Sequence, residues 1–351
     1  MNIHIEKKIK WRIIWISMGI ILFFLCVIAT TIGIANIKIT DALRIVLHQL
    51  PVMKNIIKIE DISKSHQIII KSIRLPRILL SVLVGMSLSI SGATFQGIFK
   101  NPMADPFVIG ISSGAALGAT LAIIFNIDIK ILQINTISLF ALLGALGTTY
   151  MVYNLARINS QIPVTTLLLS GIAVGQFLTA IMSFLMVLYS NDLNKIIFWT
   201  LGGFSTKGWQ QVKIIALPVL IGWSLLYFVS KDLNVMLLGE ESAKNLGIEV
   251  EKTKRMILLI NSFMVAVAVS VSGIIGFVGL IIPHIVRILV GPDHRILIPI
   301  AGLGGGLFML LADTVARTII APIEIPVGII TAIFGGPFFI YLLKKKKSRL
   351  S

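Results

Sequence analysis

Ionisable side chains at the edges of apolar segments are the first candidates for chemistry in this chain. Asp313, Arg317 and Glu324 lie where the last two long apolar runs meet. An ionised group in such a position is costly unless it is paired or faces water. A functional site and a structural ion pair therefore both remain open for these three residues.

Nucleotide and metal motifs give no candidate catalytic site. The glycine-rich stretch GGFSTKG at 202–208 lacks the Gly-Lys-Ser/Thr step of a phosphate-binding loop, and no HExxH pattern occurs. His284 has no second His, Cys or carboxylate at ligand spacing, which favours a structural hydrogen-bonding role over metal binding. We predict no catalytic residue, no metal and no cofactor on this chain. If ATP and Mg²⁺ drive the protein, another chain binds them.

Composition defines the fold class. Apolar residues make up 56% of the 351 residues and charged residues only 13%, against about 25% charged residues in a soluble domain. With a mean hydropathy of +0.95, the sequence predicts an all-α membrane protein, one transmembrane domain over residues 1–351. The single cysteine, Cys26, excludes an internal disulfide. The net charge of +16 flanks apolar runs, which favours lipid head groups and acidic proteins over nucleic acid as partners.

A polar island at 231–255 interrupts the apolar pattern. Within it, Leu237, Leu238, Ala243 and Leu246 recur at three- and four-residue spacing, which is the helix period. Glycines at 239 and 247 bracket this segment, so we predict a short helix over Glu240–Leu246 between two breaks. An ordinary solvated loop and a docking element for a soluble partner are both open interpretations.

Ten membrane spans are predicted. Nine apolar runs are each near the roughly 20 residues that cross a bilayer. A short run after Pro283 supplies the tenth, because both termini are basic and two cytoplasmic ends require an even number of crossings. The spans are Ile13–Ile34, Ile78–Phe99, Phe107–Phe125, Ile137–Leu155, Val164–Leu188, Val212–Val229, Met256–Ile282, Ile285–Val290, Ile296–Thr318 and Ile325–Leu343. This topology places 18 of the 31 Lys and Arg residues inside and 13 outside, with a basic outer segment after span one that suits an acidic partner.

Two sequence echoes predict an internal repeat. Ser89–Pro102 (SISGATFQGIFKNP) and Ser270–Pro283 (SVSGIIGFVGLIIP) share Ser-x-Ser-Gly with a proline ten residues after the glycine. Ile-Pro-Val opens span five at 162–164 and span ten at 325–327. Because the echoes keep the same order, we predict that spans 2–5 and 7–10 are repeats. Five spans separate matched helices, so the repeats are inverted, a common transporter plan with the pathway at their interface.

Six ordered segments carry a family resemblance. They are RLPR (74–77), SGATFQGIFKNPMADPFVIGISSGA (91–115), TLLLSGIAVG (166–175), GFVGLIIPHIVRILVGPDHRILIP (276–299), ADTVAR (312–317) and EIPVGIITAIFGGPFF (324–339). On these residues the chain resembles the FecCD-type permeases of ATP-binding cassette (ABC) importers for iron-siderophores, haem and vitamin B12. The resemblance implies a homodimer of ten-helix subunits around a central pathway. It also implies a cytoplasmic ATPase dimer and an extracytoplasmic substrate-binding protein as partners.

The resemblance implies roles for individual residues. Residues 231–255 become the cytoplasmic coupling loop, and the residues that contact the ATPase are Leu238, Gly239, Glu240, Glu241, Ala243, Leu246 and Gly247. Arg74, Arg77 and Arg317 match the outer-surface arginines that receive glutamates of the binding protein. Val164 and Thr165 lie where the family has its cytoplasmic gate, although Val164 departs from the hydroxyl residue of vitamin B12 permeases.

We therefore predict the permease subunit of an importer for an iron(III)-siderophore complex in the bacterial cytoplasmic membrane. The same machine carrying vitamin B12 or haem is the first alternative. An ion-coupled secondary transporter is a second, although it would need buried acidic residues, which the spans almost lack. An intramembrane enzyme is disfavoured because the chain lacks the metal-ligand and nucleotide motifs described above.

Overall fold

Helices form nearly all of the regular structure. The computed structural model describes residues 2–33, 35, 37–49, 52–127, 135–159 and 161–347, with side chains described between residues 9 and 344. The α-helices are α1 (Asn2–Thr31), α2 (Ile39–His48), α3 (Lys64–Ile68), α4 (Leu75–Ile98), α5 (Ile111–Ile124), α6 (Thr136–Ala156), α7 (Val164–Leu188), α8 (Leu193–Thr200), α9 (Trp209–Phe228), α10 (Ser230–Met236), α11 (Glu240–Asn245), α12 (Val250–Ser272), α13 (Val278–Val290), α14 (His294–Ala316) and α15 (Val327–Lys347). A π-helical turn at Ile69–Arg74 leads into α4, and a 3-10 turn at Pro106–Ile109 precedes α5.

Ten of these helices occupy the places of the ten predicted spans. Eight are long and apolar enough to cross a membrane, and α5 and α13 are shorter apolar helices. The all-α, multi-span fold class is thereby confirmed. Ile34, the predicted end of the first span, lies outside the described residues.

Three predicted span boundaries are wrong: the end of span seven and the starts of spans eight and three. The apolar run Met256–Ile282 is divided, because α12 ends at Ser272 and α13 begins at Val278. Gly273 and Phe277 both have a φ of 71°, a left-handed conformation that a right-handed helix cannot contain. The eighth span therefore starts before Ile285, and Pro283 lies inside α13. The third span also starts late, at Ile111 rather than Phe107.

Contacts between connecting segments show which of them lie together at each of the two ends of the helix bundle. One end contains the contacts Trp11–Arg295, Asn234–Asp293 and Ile162–Glu251. The other end contains the contacts Lys71–Trp209, Arg77–Glu324 and Ser205–Glu324. The residues next to the N-terminus thus share an end with the polar island, as the even number of six spans between them requires.

Helix α4 is the centre of the core. It packs against α14, α13, α9 and α12, and nearly all of its residues are buried. Glycines permit the closest approaches: a Cβ on Gly92 would lie 1.8 Å from the carbonyl oxygen of Gly279 in α13. A Cβ on Gly85 would lie 2.2 Å from the carbonyl oxygen of Gly305 in α14. These glycines bring the helix backbones into contact, as small residues do between membrane helices.

The packing of α4–α7 recurs in α12–α15. Helix α5 packs against α6 and α7, as α13 packs against α14 and α15, and the contact of α4 with α14 corresponds to that of α12 with α6. Both Ile-Pro-Val segments begin a helix at the valine. The other echo is not equivalent in conformation, because Ser89–Gly92 lies inside α4 whereas Ser272 and Gly273 end α12.

Candidate coupling and docking sites

The predicted short helix in the polar island is present. Helix α11 begins at Glu240 and ends at Asn245, one residue before the predicted end. Gly239 has a φ of 129° and Gly247 a φ of 84°, values that favour glycine. Both breaks in the chain therefore depend on the residues that the sequence pattern singled out.

The face that α11 turns to the outside differs from the expected one. Ala243 is fully buried and packs against Met236 and Val250 of its own chain. Leu238 and Leu246, in contrast, are 72% and 66% exposed. Ala243 is thus an anchor that holds α11 on α10 and α12, and its predicted position on the partner-facing side is wrong. Contact of Leu238 and Leu246 with a partner stays a prediction.

Three charged side chains connect α11 to the segment before α7. The Lys254 Nζ lies 2.7 Å from Oε1 of Glu240 and 3.1 Å from Oε1 of Glu251. The second oxygen of Glu251, Oε2, accepts a hydrogen bond of 3.0 Å from the backbone N–H of Ile162. The Lys254 side chain is only 5% exposed, and burial of a charged group is tolerated because it is paired.

The predicted gate residues occupy the first turn of α7. Thr165 is exposed, whereas Val164 is half-buried and packs against the hydrophobic core. Pro163 precedes them as the N-terminal cap residue of the helix. Ile162, which Glu251 holds, comes immediately before that proline. The gate position and α11 are therefore at the same end of the molecule and are joined by one chain of polar contacts.

At the opposite end, Arg74 and Arg317 bind the C-terminal carbonyl groups of α1. Arg74 donates from Nη1 to the carbonyl oxygen of Thr30 at 2.7 Å and from Nη2 to that of Ala35 at 2.9 Å. Arg317 donates from Nη1 to the carbonyl oxygen of Ile32 at 2.9 Å. The last carbonyl groups of a helix lack intrahelical partners and favour nearby cations. Both arginines therefore cap α1.

Arg77 forms an ionic cluster with two carboxylates. Its Nη2 lies 2.8 Å from Oδ1 of Asp313, and its Nη1 lies 2.8 Å from Oε1 of Glu324. The other carboxylate oxygen of Glu324 accepts a hydrogen bond from the Ser205 hydroxyl. Burial alone would raise the pKa of Glu324, but the hydrogen bonds from Ser205 and Arg77 outweigh it and lower the pKa. Asp313 and Glu324 are therefore members of a structural ion-pair cluster.

Arg74, Arg77 and Arg317, the residues predicted to receive glutamates of the binding protein, are all bonded within the chain, and docking at these arginines stays a prediction. Arg74 and Arg77 are buried, and Arg317 is half-buried with its guanidinium bonded to α1. The Nδ1 of His284 has no hydrogen-bond partner among the described residues, so the predicted structural hydrogen bond is not made at this atom. Among the described residues, no group of three or more His, Cys, Asp and Glu side chains is arranged to hold a metal.

Comparison with known proteins identifies the family. A model of the FecCD transport family matches residues 21–345, which is nearly the whole chain. The chain belongs to the FecCD transport family. It is the membrane-spanning permease subunit of an ABC importer, and ATP hydrolysis occurs on a separate subunit.

Individual relatives of this FecCD permease agree with that role. The cobalamin import system permease protein BtuC of Halobacterium salinarum is 46% identical over 288 residues, covering 82% of this chain and 76% of the relative. The hemin transport system permease protein HmuU of Yersinia pestis is 38% identical over 282 residues, covering 80% and 84%. A solved ABC transporter described as of the metal-chelate type, in an inward-facing conformation, matches with a TM-score of 0.82 at 33% identity, covering 95% and 99%.

The polar chain through Lys254 was not foreseen in the sequence, although one signal was available. Glu251 and Lys254 are three residues apart in α12, a spacing at which helical side chains meet. The contacts with Glu240 and Ile162 span 14 and 89 residues. Such separations have no local signature, and only the folded FecCD permease shows them.

Proposed function

We propose that two copies of this chain form the membrane pathway of an importer for iron(III)-siderophore complexes. A separate ATPase dimer, which holds ATP and Mg²⁺, docks on α11 at the cytoplasmic end, where both termini also lie. A substrate-binding protein delivers the complex at the opposite end. This chain itself binds no cofactor in the proposal, and residues 231–255 serve as the coupling loop of a single transmembrane domain.

The observation that carries the proposal is the construction of α11. A short helix with glycine breaks at both ends is anchored by Ala243 and presents two exposed leucines, Leu238 and Leu246. Large exposed apolar side chains on an otherwise polar segment are typical of an interaction site. A stiff element of this kind transmits force from a soluble motor to membrane helices, whereas a solvated loop would absorb it.

The faces of α7 and α15 support the position of the pathway. Both helices are largely unburied within one chain. They expose large apolar side chains, including Leu169 and Phe177 on α7 and Ile333 and Phe334 on α15. We propose that parts of these faces meet across the two-fold axis and line the pathway. An apolar lining suits a metal ion that travels inside an organic shell.

The basic outer segment supports the position of the binding protein. With Arg74, Arg77 and Arg317 bonded within the chain, the exposed charges of the segment between α1 and α4 include four lysines, Lys38, Lys54, Lys58 and Lys64, against two carboxylates, Glu60 and Asp61. We propose that these lysines attract an acidic binding protein. Electrostatic complementarity of this kind raises association rates more than affinity and weakens with salt.

Cobalamin is the second candidate cargo, because the relative that is 46% identical is named for cobalamin import. The deciding experiment reconstitutes the chain in proteoliposomes with the ATPase and the binding protein encoded beside it. Uptake of radiolabelled ferric siderophores, cyanocobalamin and hemin is then compared with and without ATP. We expect ATP-dependent uptake of a ferric siderophore. If only cyanocobalamin or only hemin is taken up, the proposed cargo is wrong. If uptake occurs without the ATPase, the proposed ATP-driven importer is wrong.

A further inference from the structure

The contacts of Lys254 connect two parts of the molecule that the proposed function requires to move together. Its ammonium group binds Glu240, the first residue of α11, and Glu251 in the first turn of α12. Glu251 in turn accepts the Ile162 N–H immediately before Pro163 and α7. Helix α11 is the element on which the ATPase is proposed to act, and the start of α7 is the proposed gate.

We propose that Lys254 is the positioning residue that transmits displacement of α11 to the start of α7. This inference rests on the proposed function and deepens it. When α11 moves, Glu240 pulls the ammonium group of Lys254, and Glu251 carries the motion to the backbone of Ile162. Because Pro163 fixes its own φ angle, the motion of Ile162 passes to Val164 and Thr165 with little loss in the connection.

Burial and charge explain why the connection is stiff. The Lys254 side chain is 5% exposed, and the two carboxylates that flank it are 40% and 26% exposed. An ammonium group shielded from water does not readily exchange its partners, because separation would leave a buried charge uncompensated. The Glu251 carboxylate lies beside the segment that leads into the N-terminus of α7, where the helix dipole favours negative charge.

The same helix provides a matched control pair. Glu249 and Lys252 have the same three-residue spacing on α12, but their side chains are 71% and 76% exposed and lie 3.4 Å apart. A solvated pair of this kind contributes little. Lys252→Met therefore removes an equal charge from the same helix without interrupting the path from α11 to α7.

The experiment measures coupling and movement separately. A spin label at Thr165→Cys, in a chain with Cys26→Ser, reports one distance between the two copies. The distance is compared in nucleotide-free and ATP-bound complexes with the ATPase. In Lys254→Met we expect the ATPase to co-purify and hydrolyse ATP while the distance change at position 165 is lost. Uptake per ATP hydrolysed should fall by roughly tenfold, within the usual range of coupling between sites.

Three further variants complete the test. Lys252→Met should retain the distance change at position 165, and Lys254→Arg should retain most of the coupling. Glu251→Gln keeps an oxygen for the Ile162 N–H but loses the charge that binds Lys254, so it should be uncoupled even if Lys254→Met fails to assemble. Parental coupling in Glu251→Gln, or equal losses in Lys254→Met and Lys252→Met, overturns the inference. Failure of the proposed function is distinguishable, because it abolishes ATP-dependent uptake in the parent chain as well.

Discussion

Arg77 in α4 and Asp313 in α14 form a bidentate ion pair in which the side chains are 10% and 1% exposed. The Arg77 Nε lies 3.1 Å from both carboxylate oxygens, and Nη2 lies 2.8 Å from Oδ1. The pair joins the two helices that pack most extensively in the described chain. It also neutralises the buried carboxylate that an ion-coupled transporter would need free.

Loss of Arg77 alone should strongly destabilise the fold. Arg77→Met leaves Asp313 as an uncompensated buried charge, which costs roughly 3–5 kcal/mol. The double variant Arg77→Met, Asp313→Leu should recover most of this loss because neither charge remains. Unfolding in mixed detergent micelles, followed by tryptophan fluorescence, measures both changes.

The exposed pair Arg44–Asp61 is the control for that measurement. Arg44→Met should change the free energy of unfolding far less than Arg77→Met, because solvated ion pairs contribute little. If Arg77→Met and Arg44→Met have the same effect on the free energy of unfolding, the ionic cluster does not stabilise the contact of α4 with α14.

Glycine substitutions should separate backbone contact from helix propensity. A Cβ on Gly92 meets the backbone of Gly279, so Gly92→Ala should lower the free energy of unfolding by roughly 1–3 kcal/mol. A Cβ on Gly147 in α6 would have no atom within 4 Å among its described neighbours. Gly147→Ala should therefore be neutral or stabilise by up to about 1 kcal/mol through helix propensity. Equal effects of the two substitutions would contradict the close contact of α4 and α13.

Substitutions on the two sides of α11 should have different consequences. Leu238→Glu and Leu246→Glu should abolish co-elution with the ATPase and change the free energy of unfolding by less than about 0.5 kcal/mol, since both side chains are exposed. Ala243→Trp should overpack the chain's own interior and cost roughly 1–3 kcal/mol. If Ala243→Trp left stability unchanged and removed only the ATPase, Ala243 would face the partner after all.

Asp105, in the connection between α4 and α5, should give the fold a pH dependence. Burial raises the pKa of Asp105 to about 6, although the hydrogen bond from the Phe107 N–H opposes this. The folded state thus holds the proton more tightly than the unfolded state, whose pKa is 3.8. The stabilisation from Asp105 is fully present below about pH 4 and is lost as the pH rises through about 6.

The variant Asp105→Asn tests this dependence, because it keeps an acceptor for the Phe107 N–H and removes the titration. Relative to the parent chain, its free energy of unfolding should increase as the pH rises from about 4 to about 7. Parallel stability curves over that range would show that Asp105 does not titrate there.

Local signals in the sequence predicted the starts of α7 and α11, but not the end of α12. Pro163 and Pro326 precede valines at which helices begin, and Gly239 and Gly247 bound α11 as predicted. The break between α12 and α13 lies in a predominantly apolar run, so the hydropathy pattern does not show where one helix ends and the next begins. Only Gly273 hinted at it, and a glycine in a membrane helix more often serves close packing.

The intrachain partners of the arginines could not be predicted, for a different reason. Their types and positions suited an outer surface, but burial depends on partners far away in the chain. Arg74 reaches the carbonyl of Thr30, 44 residues earlier, and Arg77 reaches Asp313, 236 residues later. The acceptors on α1 are backbone carbonyl groups, which every residue has. Composition and spacing therefore could not predict that arginines cap α1.

The two caps on α1 have a consequence for biosynthesis. Helix α1 is made first, yet the guanidinium groups that satisfy its final carbonyls belong to Arg74 and Arg317, which follow it by 44 and 288 residues at the nearest contacts. The carbonyl groups at its C-terminal end therefore gain both guanidinium partners only after nearly the whole chain has been synthesised. A chain truncated before residue 317 would keep the Arg74 cap on α1 but lack the Arg317 cap. The unpaired carbonyl groups at the end of α1 would then mark the truncated chain as incompletely folded for quality-control proteases.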